Sequence, residues 1–239
     1  SDNAYYLDTG WVSSDSTIEL PNSSSIWIAD KNTIGVNEPV KLTWTSDQNI
    51  TFEKIITLDE NYLFSVDQRV INNSGLSFDL YPYGLSKRQG IPEMQNFFIL
   101  HEGPLSITDG VLEEYDYDDL KDDKKIKHSS VGGWIGMTDK YWQTAIIPNQ
   151  NEPVQQTYSY SFVDNIDNFQ TDIVGERIAV SNNASISHNF KIFAGPKIVN
   201  IIDKYMEEYG FDGFDRSVDF GWFYFLTKPI FNVLEFIYG

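Results

Sequence analysis

The residues best able to do acid–base or metal chemistry are His101, His128 and His188, and their spacing organises no site. They lie far apart and outside any HExxH pattern. The acidic run at 113–123 has neither the glycine nor the ligand spacing of a calcium loop. There is no GxSxG nucleophile elbow and no phosphate-cradling glycine loop. Ser129 and Ser130 beside His128 carry little weight, because triad members are rarely sequence neighbours. With 35 Asp and Glu residues, some carboxylates approach one another by chance alone. The expectation is a non-enzyme with no catalytic residue, no metal and no cofactor.

Three other segments combine residue types that point to contact rather than catalysis. Gly132-Gly133-Trp134-Ile135-Gly136-Met137, running on to Tyr141 and Trp142, sets large aromatics on a flexible backbone. Gly133, Trp134, Met137, Tyr141 and Trp142 are thus candidates for a groove lining, or, more simply, for a packed crossing between sheets. Tyr81-Pro82-Tyr83-Gly84-Leu85 reads as a strand end entering a turn, with its aromatics in the core. The third segment is the most apolar, 220–237. Phe220, Gly221, Trp222 and Phe223 open it, and Ile230, Val233, Leu234 and Ile237 share a helical face beyond Pro229. Trp and Tyr suit a membrane–water boundary because an apolar body carries a polar tip. Gly221, Thr227, Lys228, Pro229, Asn232 and Glu235 interrupt the run, so it falls short of the ~18 apolar residues of a spanning helix. Ser1–Thr9 has neither the basic start nor the apolar run of a signal peptide.

The elements that must position these residues are mostly strands. Val40, Leu42 and Trp44 alternate with polar residues, and Ser46–Asn49 makes a turn. Ile50–Leu58 and Tyr62–Ile71 follow, the second with Tyr62, Phe64, Val66 and Val70 on one face and Gln68 breaking the stripe. Asn72-Asn73-Ser74-Gly75 turns the chain into Leu76–Tyr83, with Gly75 free to take positive φ. Phe97–His101, Trp142–Ile147, Val154–Phe162, Arg177–Val180 and Ser187–Phe193 read as further strands, and Glu113–Lys125 as a dispensable solvated hairpin or loop. Strands at ~8–12-residue spacing predict an antiparallel sandwich or barrel. Gly195-Pro196 opens a helical pattern through Ile198, Ile201, Ile202, Tyr205 and Tyr209, which Gly210 ends. No fixed-period repeat or Pro/Ser-rich linker divides the chain.

Composition bounds the partners. A 239-residue chain that is 41% hydrophobic can bury a sizeable core without disulfides, and it has no cysteine. Its net charge of −18 repels nucleic acid and anionic lipid alike, so no nucleic-acid binding is expected.

Five segments in order resemble the large periplasmic domain of the YidC family of bacterial inner-membrane insertases. They are Lys54–Asp59 with Tyr62–Phe64; Leu80–Leu85; Gly133–Met137 through Trp142 to Ala145–Pro148; Ala194–Lys197; and Val218–Phe223. The resemblance implies a mostly β fold, a two-sheet antiparallel β-supersandwich of galactose mutarotase-like form with C-terminal helices. It places a sandwich domain over 1–217, with a helix near 196–209. An amphipathic connector over 218–239, including Pro229, Ile230 and Phe231, would then lead to the second membrane span. It further implies a place at the periplasmic face of the inner membrane, in a protein that inserts and folds membrane proteins with or without the Sec translocase. Contact with SecD–SecF and with nascent membrane proteins through the membrane region belongs to the same implication. The first 40 residues match no family motif, and 113–125 lies in a variable part.

Two other functional classes share such a sandwich: a sugar-binding or aldose-epimerising protein, and a secreted adhesion module. The former needs histidine and carboxylate converging in one cleft. The aromatic end offers Lys228 against Glu235, so weak or no lipid binding is expected of the isolated domain.

Overall fold

The computed structural model describes residues 4–92 and 101–218. The strands, in chain order, begin with β1 (Tyr5–Val12), β2 (Ile28–Ala29), β3 (Val40–Thr45), β4 (Ile50–Leu58) and β5 (Leu63–Asn72). Next come β6 (Phe78–Gln89), β7 (Gly103–Thr108), β8 (Val111–Glu114), helix α1 (Tyr117–Asp123) and β9 (Lys125–Val131). Then follow β10 (Trp134–Thr138), β11 (Trp142–Ile147), β12 (Pro153–Val163), β13 (Ile166–Gly175), β14 (Ile178–Val180) and β15 (Ala184–Pro196). Helix α2 (Val199–Tyr209) and a 3-10 turn, Phe214–Ser217, complete the described chain.

Two antiparallel sheets result. The larger has nine strands in the order β2-β3-β4-β5-β15-β11-β10-β7-β8. The smaller has six, β1-β6-β13-β12-β9 with β14 beside β6. Alternation decides which side chains meet between them. Ile135, Met137, Ile146 and Phe190 of the larger sheet meet Tyr158, Phe169 and Ile173 of the smaller. A second inter-sheet cluster joins Trp11 and Leu80 to Ile50, Phe52 and Val70. The outer face of the larger sheet is covered by α2 and the 3-10 turn, where Ile202, Tyr205, Phe211 and Phe214 pack on Leu105, Ile107, Trp134 and Phe193. Each such fully buried side chain stabilises by ~1.5–3 kcal/mol relative to exposure.

Several expectations need correction. The strand read as Leu76–Tyr83 begins at Phe78 and runs on to Gln89, with Pro82 in its interior. Pro82 faces Trp11 of β1 on one side; on the other, the neighbour changes from β14 at Leu80 to β13 at Tyr83. No ladder partner there asks for the missing N–H. Tyr81 and Tyr83 accordingly fall on the half-buried face, while Leu80, Pro82 and Gly84 point inward. Gln68 does not break the β5 stripe but belongs to it, fully buried with Val66 and Val70. Tyr62 instead sits outside β5 in positive φ and is exposed.

The charged segment 113–125 is not one solvated hairpin or loop: Glu113 and Glu114 end the β7–β8 hairpin, and the helix follows. Its middle forms α1, whose Tyr117 and Leu120 plug the space between the sheets, while Asp119 returns to the Asp116 backbone N–H as half of a capping box. The α2 helix starts at Val199, because Gly195 and Pro196 still pair with Gln143 and Trp142 in β15. Gly210 does end it, in αL conformation with φ 67°. The strand read over Phe97–His101 lies outside the described residues except for His101, which precedes β7. The stretch 220–237 lies outside them altogether.

Candidate functional site

The larger sheet positions its residues by register. Gly132 and Gly133 both take positive φ to turn β9 into β10. A Cβ on Gly133 would lie 2.1 Å from the Ile107 carbonyl oxygen, so only glycine fits this close approach. That turn delivers Trp134 fully buried beneath the 3-10 turn, its Nε1 donating to the Asp212 carbonyl at 3.1 Å. Met137, on the opposite face, is buried between the sheets. Tyr141 and Trp142, in contrast, are 65% and 55% exposed at the mouth of the β10–β11 hairpin. The five residues that the sequence grouped therefore divide among three environments and line no common groove. Phe220, Gly221, Trp222, Phe223, Pro229, Ile230, Phe231, Val233, Leu234 and Ile237 lie outside the described residues.

The histidines are equally dispersed. His101 Nε2 lies 3.1 Å from the Pro104 carbonyl, and His128 Nε2 is 2.8 Å from the Tyr115 hydroxyl. His101 Nδ1 also lies 3.7 Å from Asp116 Oδ1, while His188, on the inner face of β15, meets a carboxylate in a cleft: its Nε2 is 3.1 Å from Glu152 Oε2. The cleft holds about 690 Å³ and is walled by the β11–β12 loop, β15 and the end of α2. Burial holds the His188 pKa below the ordinary histidine value, against the pull of Glu152. Because the two groups are bonded to each other, they do not form a separated acid and base flanking a substrate ring. Much of the remaining polar lining is internally engaged: Gln150 ties down Gly133 and Asp212, and Arg177 bonds Asp79. Among the described residues, no cluster of three or more His, Asp or Glu side chains is arranged to hold a metal ion.

A feature that the sequence pattern hid lies on the other side of the inter-sheet space. Lys54 of β4 reaches across to β1, where its Nζ bonds the Thr9 carbonyl and lies 3.4 Å from Asp8 Oδ1. Lys54, Gln68 and His188 are cross-strand neighbours, so they form one polar row on the inner face. Both polar atoms of Gln68, and Nδ1 of His188, are buried without a hydrogen-bond partner. Only the interruption at Gln68 signalled this row in the sequence.

Comparison with known proteins supplies the family. The YidC periplasmic domain model matches residues 1–233. A relative from Rickettsia canadensis, named "Membrane protein insertase YidC", is 40% identical over 240 residues, covering 100% of this chain and 43% of its own length. A Rickettsia bellii relative of the same name is 39% identical over 237 residues, covering 99% of this chain and 42% of its own. The chain thus spans well under half the length of these relatives. Among solved structures, a galactose mutarotase related enzyme from Lactobacillus acidophilus superposes with a TM-score of 0.51 at 11% identity, covering 70% of each chain. At that identity the likeness is one of fold, the two-sheet supersandwich.

Proposed function

The chain belongs to the YidC periplasmic domain family, and from that premise we propose that it is the soluble, non-enzymatic domain of a membrane protein insertase, serving as scaffold and partner contact at the periplasmic face of the inner membrane. The observation that carries this reading is the match of the family model to nearly the whole chain, reinforced by relatives named as insertases. The bonded His188–Glu152 pair speaks against the aldose-epimerase alternative, because neither group is free to act from its own side of a sugar ring. Two boundaries belong to the proposal: a sandwich over 1–217 and an amphipathic connector over 218–239 that joins it to a membrane span. Its partners are SecD–SecF and the Sec translocase, with nascent membrane proteins engaged through the parent's membrane region.

The test is complementation. In a strain that depends on the full-length protein, replacing Ile230, Val233, Leu234 and Ile237 by serine is expected to impair insertion and growth. Normal growth with that variant present at wild-type level would overturn the connector role. Catalysis of glucose mutarotation by the purified chain would overturn the non-enzymatic reading instead.

A further inference from the structure

Beside the Lys54 strut the two sheets part, and the gap has two chemically different limbs. One, of about 840 Å³, is walled by aliphatic and aromatic side chains of the larger sheet, among them Leu42, Ile56, Phe64, Val66 and Ile192, with the exposed Lys31, Asn32 and Thr33 at its rim. The other, of about 670 Å³, is walled by Trp27, Tyr83, Asn22, Ser23 and Ser25, with Gln68 at its floor. Leu7, Asp8, Thr9 and Lys54 stand in the walls of both. An apolar limb thus adjoins a hydrogen-bonding limb, and the carboxamide between the sheets has no partner for its donor or its acceptor. Burying such a group unpaired is costly, and an occupant's hydroxyl, reaching it directly or through an ordered water, would supply the missing bonds.

We infer that this trough binds a single-chain amphiphile, its acyl tail in the apolar limb and an uncharged, hydroxyl-bearing head beside Asn22, Ser23, Ser25 and Gln68. The head is uncharged for two reasons. The Lys54 ammonium is already engaged by Asp8 and the Thr9 carbonyl, and the net charge of −18 disfavours an anion. An extended peptide would need main-chain groups on the β1 edge. At Thr9 those are taken, the N–H by Asp8 Oδ1 at 2.8 Å and the carbonyl by Lys54. A free sugar would leave the apolar limb unfilled. This inference goes beyond the scaffold role and stands or falls separately from it.

The test is calorimetric titration of the 239-residue chain with 1-decanoylglycerol and 1-dodecanoylglycerol, both below their aggregation concentrations. Saturable one-to-one binding is expected, tightening about fourfold per added methylene as the tail is buried. Ala194→Trp and Ile34→Trp, which fill the apolar limb from its wall and its rim, should each weaken binding about tenfold or more while leaving the melting temperature near that of the wild type. Gln68→Leu should also weaken binding, yet raise the melting temperature of the free chain by removing the unpaired amide. No binding, uptake of many molecules per chain, affinity indifferent to chain length, or affinity unchanged in both tryptophan variants would overturn the inference. So would saturable binding of maltose or trileucine that displaces the glycerides.

Discussion

His188 shows how a single residue's surroundings set a pH response. Its folded pKa lies below the unfolded value because burial penalises the charged ring. The folded chain therefore binds that proton less readily than the unfolded chain. The His188 contribution to stability is complete above the unfolded histidine value and declines as pH falls through the folded one. Urea unfolding is expected to show a stability loss below about pH 6 that His188→Gln largely removes. Glu152→Gln should lower the His188 pKa further, seen by NMR titration of the ring, since the carboxylate favours the charged form. Asp172 carries the opposite sign: burial raises its pKa, so ionisation at neutral pH is a burden to the fold. Asp172→Asn is expected to raise the melting temperature at pH 7 and to lose that advantage below about pH 4. At Trp134, truncation to alanine should cost ~3–5 kcal/mol, because the ring is fully buried and its N–H is bonded. Gly133→Ala should cost more than about 1 kcal/mol from backbone conflict alone. Gly133 and Trp134 stood out in the sequence by type and Gln68 as a polar interruption; that its amide is buried unpaired was not legible, because burial of a glutamine depends here on a strand more than a hundred residues away.

At the scale of elements, α1 sharpens the difference between local pattern and tertiary placement. The segment 113–125 is so charged that exposure dominates its composition, and the two residues that matter, Tyr117 and Leu120, are spaced i to i+3 within a helix of seven residues. Deleting the segment is therefore expected to destabilise the chain rather than be tolerated. Leu120→Ala alone should cost ~2–5 kcal/mol, measured by chemical denaturation with an unchanged m-value. Strands with turn chemistry at both ends were legible: Ile50–Leu58 and Trp142–Ile147 have the same limits in sequence and structure. The continuation of β6 through Pro82 was not, since proline is tolerated there only because its neighbours change from β14 to β13. Nor was the start of α2, where a strand pairing at Pro196 overrides a helix-opening signal. The N-terminal β1 escaped because its burial comes from a distant partner; the β7–β8 hairpin escaped although Asp109-Gly110, both in positive φ, carry the local signal of a two-residue turn.

For the molecule as a whole, the acidic field and the sandwich architecture act together. The described part contains no helix long and apolar enough to cross a membrane. With a net charge of −18, the isolated chain is expected to stay in the bottom fraction when floated with anionic vesicles at low salt. Co-flotation would show that its aromatic surfaces outweigh the repulsion. Fold class was readable from strand spacing and the family segments, whereas which strands join which sheet was not, because that order is set by long-range pairing. The β5–β15 junction at the centre of the larger sheet is the clearest case, joining Leu63–Asn72 to Ala184–Pro196. A chain made or exported from its N-terminus completes β2 to β5 first, then waits more than a hundred residues for the strand that covers their open side. During that interval β5 presents an unpaired edge, the kind of surface that recruits other chains. The domain's vulnerable moment is thus one of timing: nearly all of it has to emerge before the two halves of the larger sheet can join.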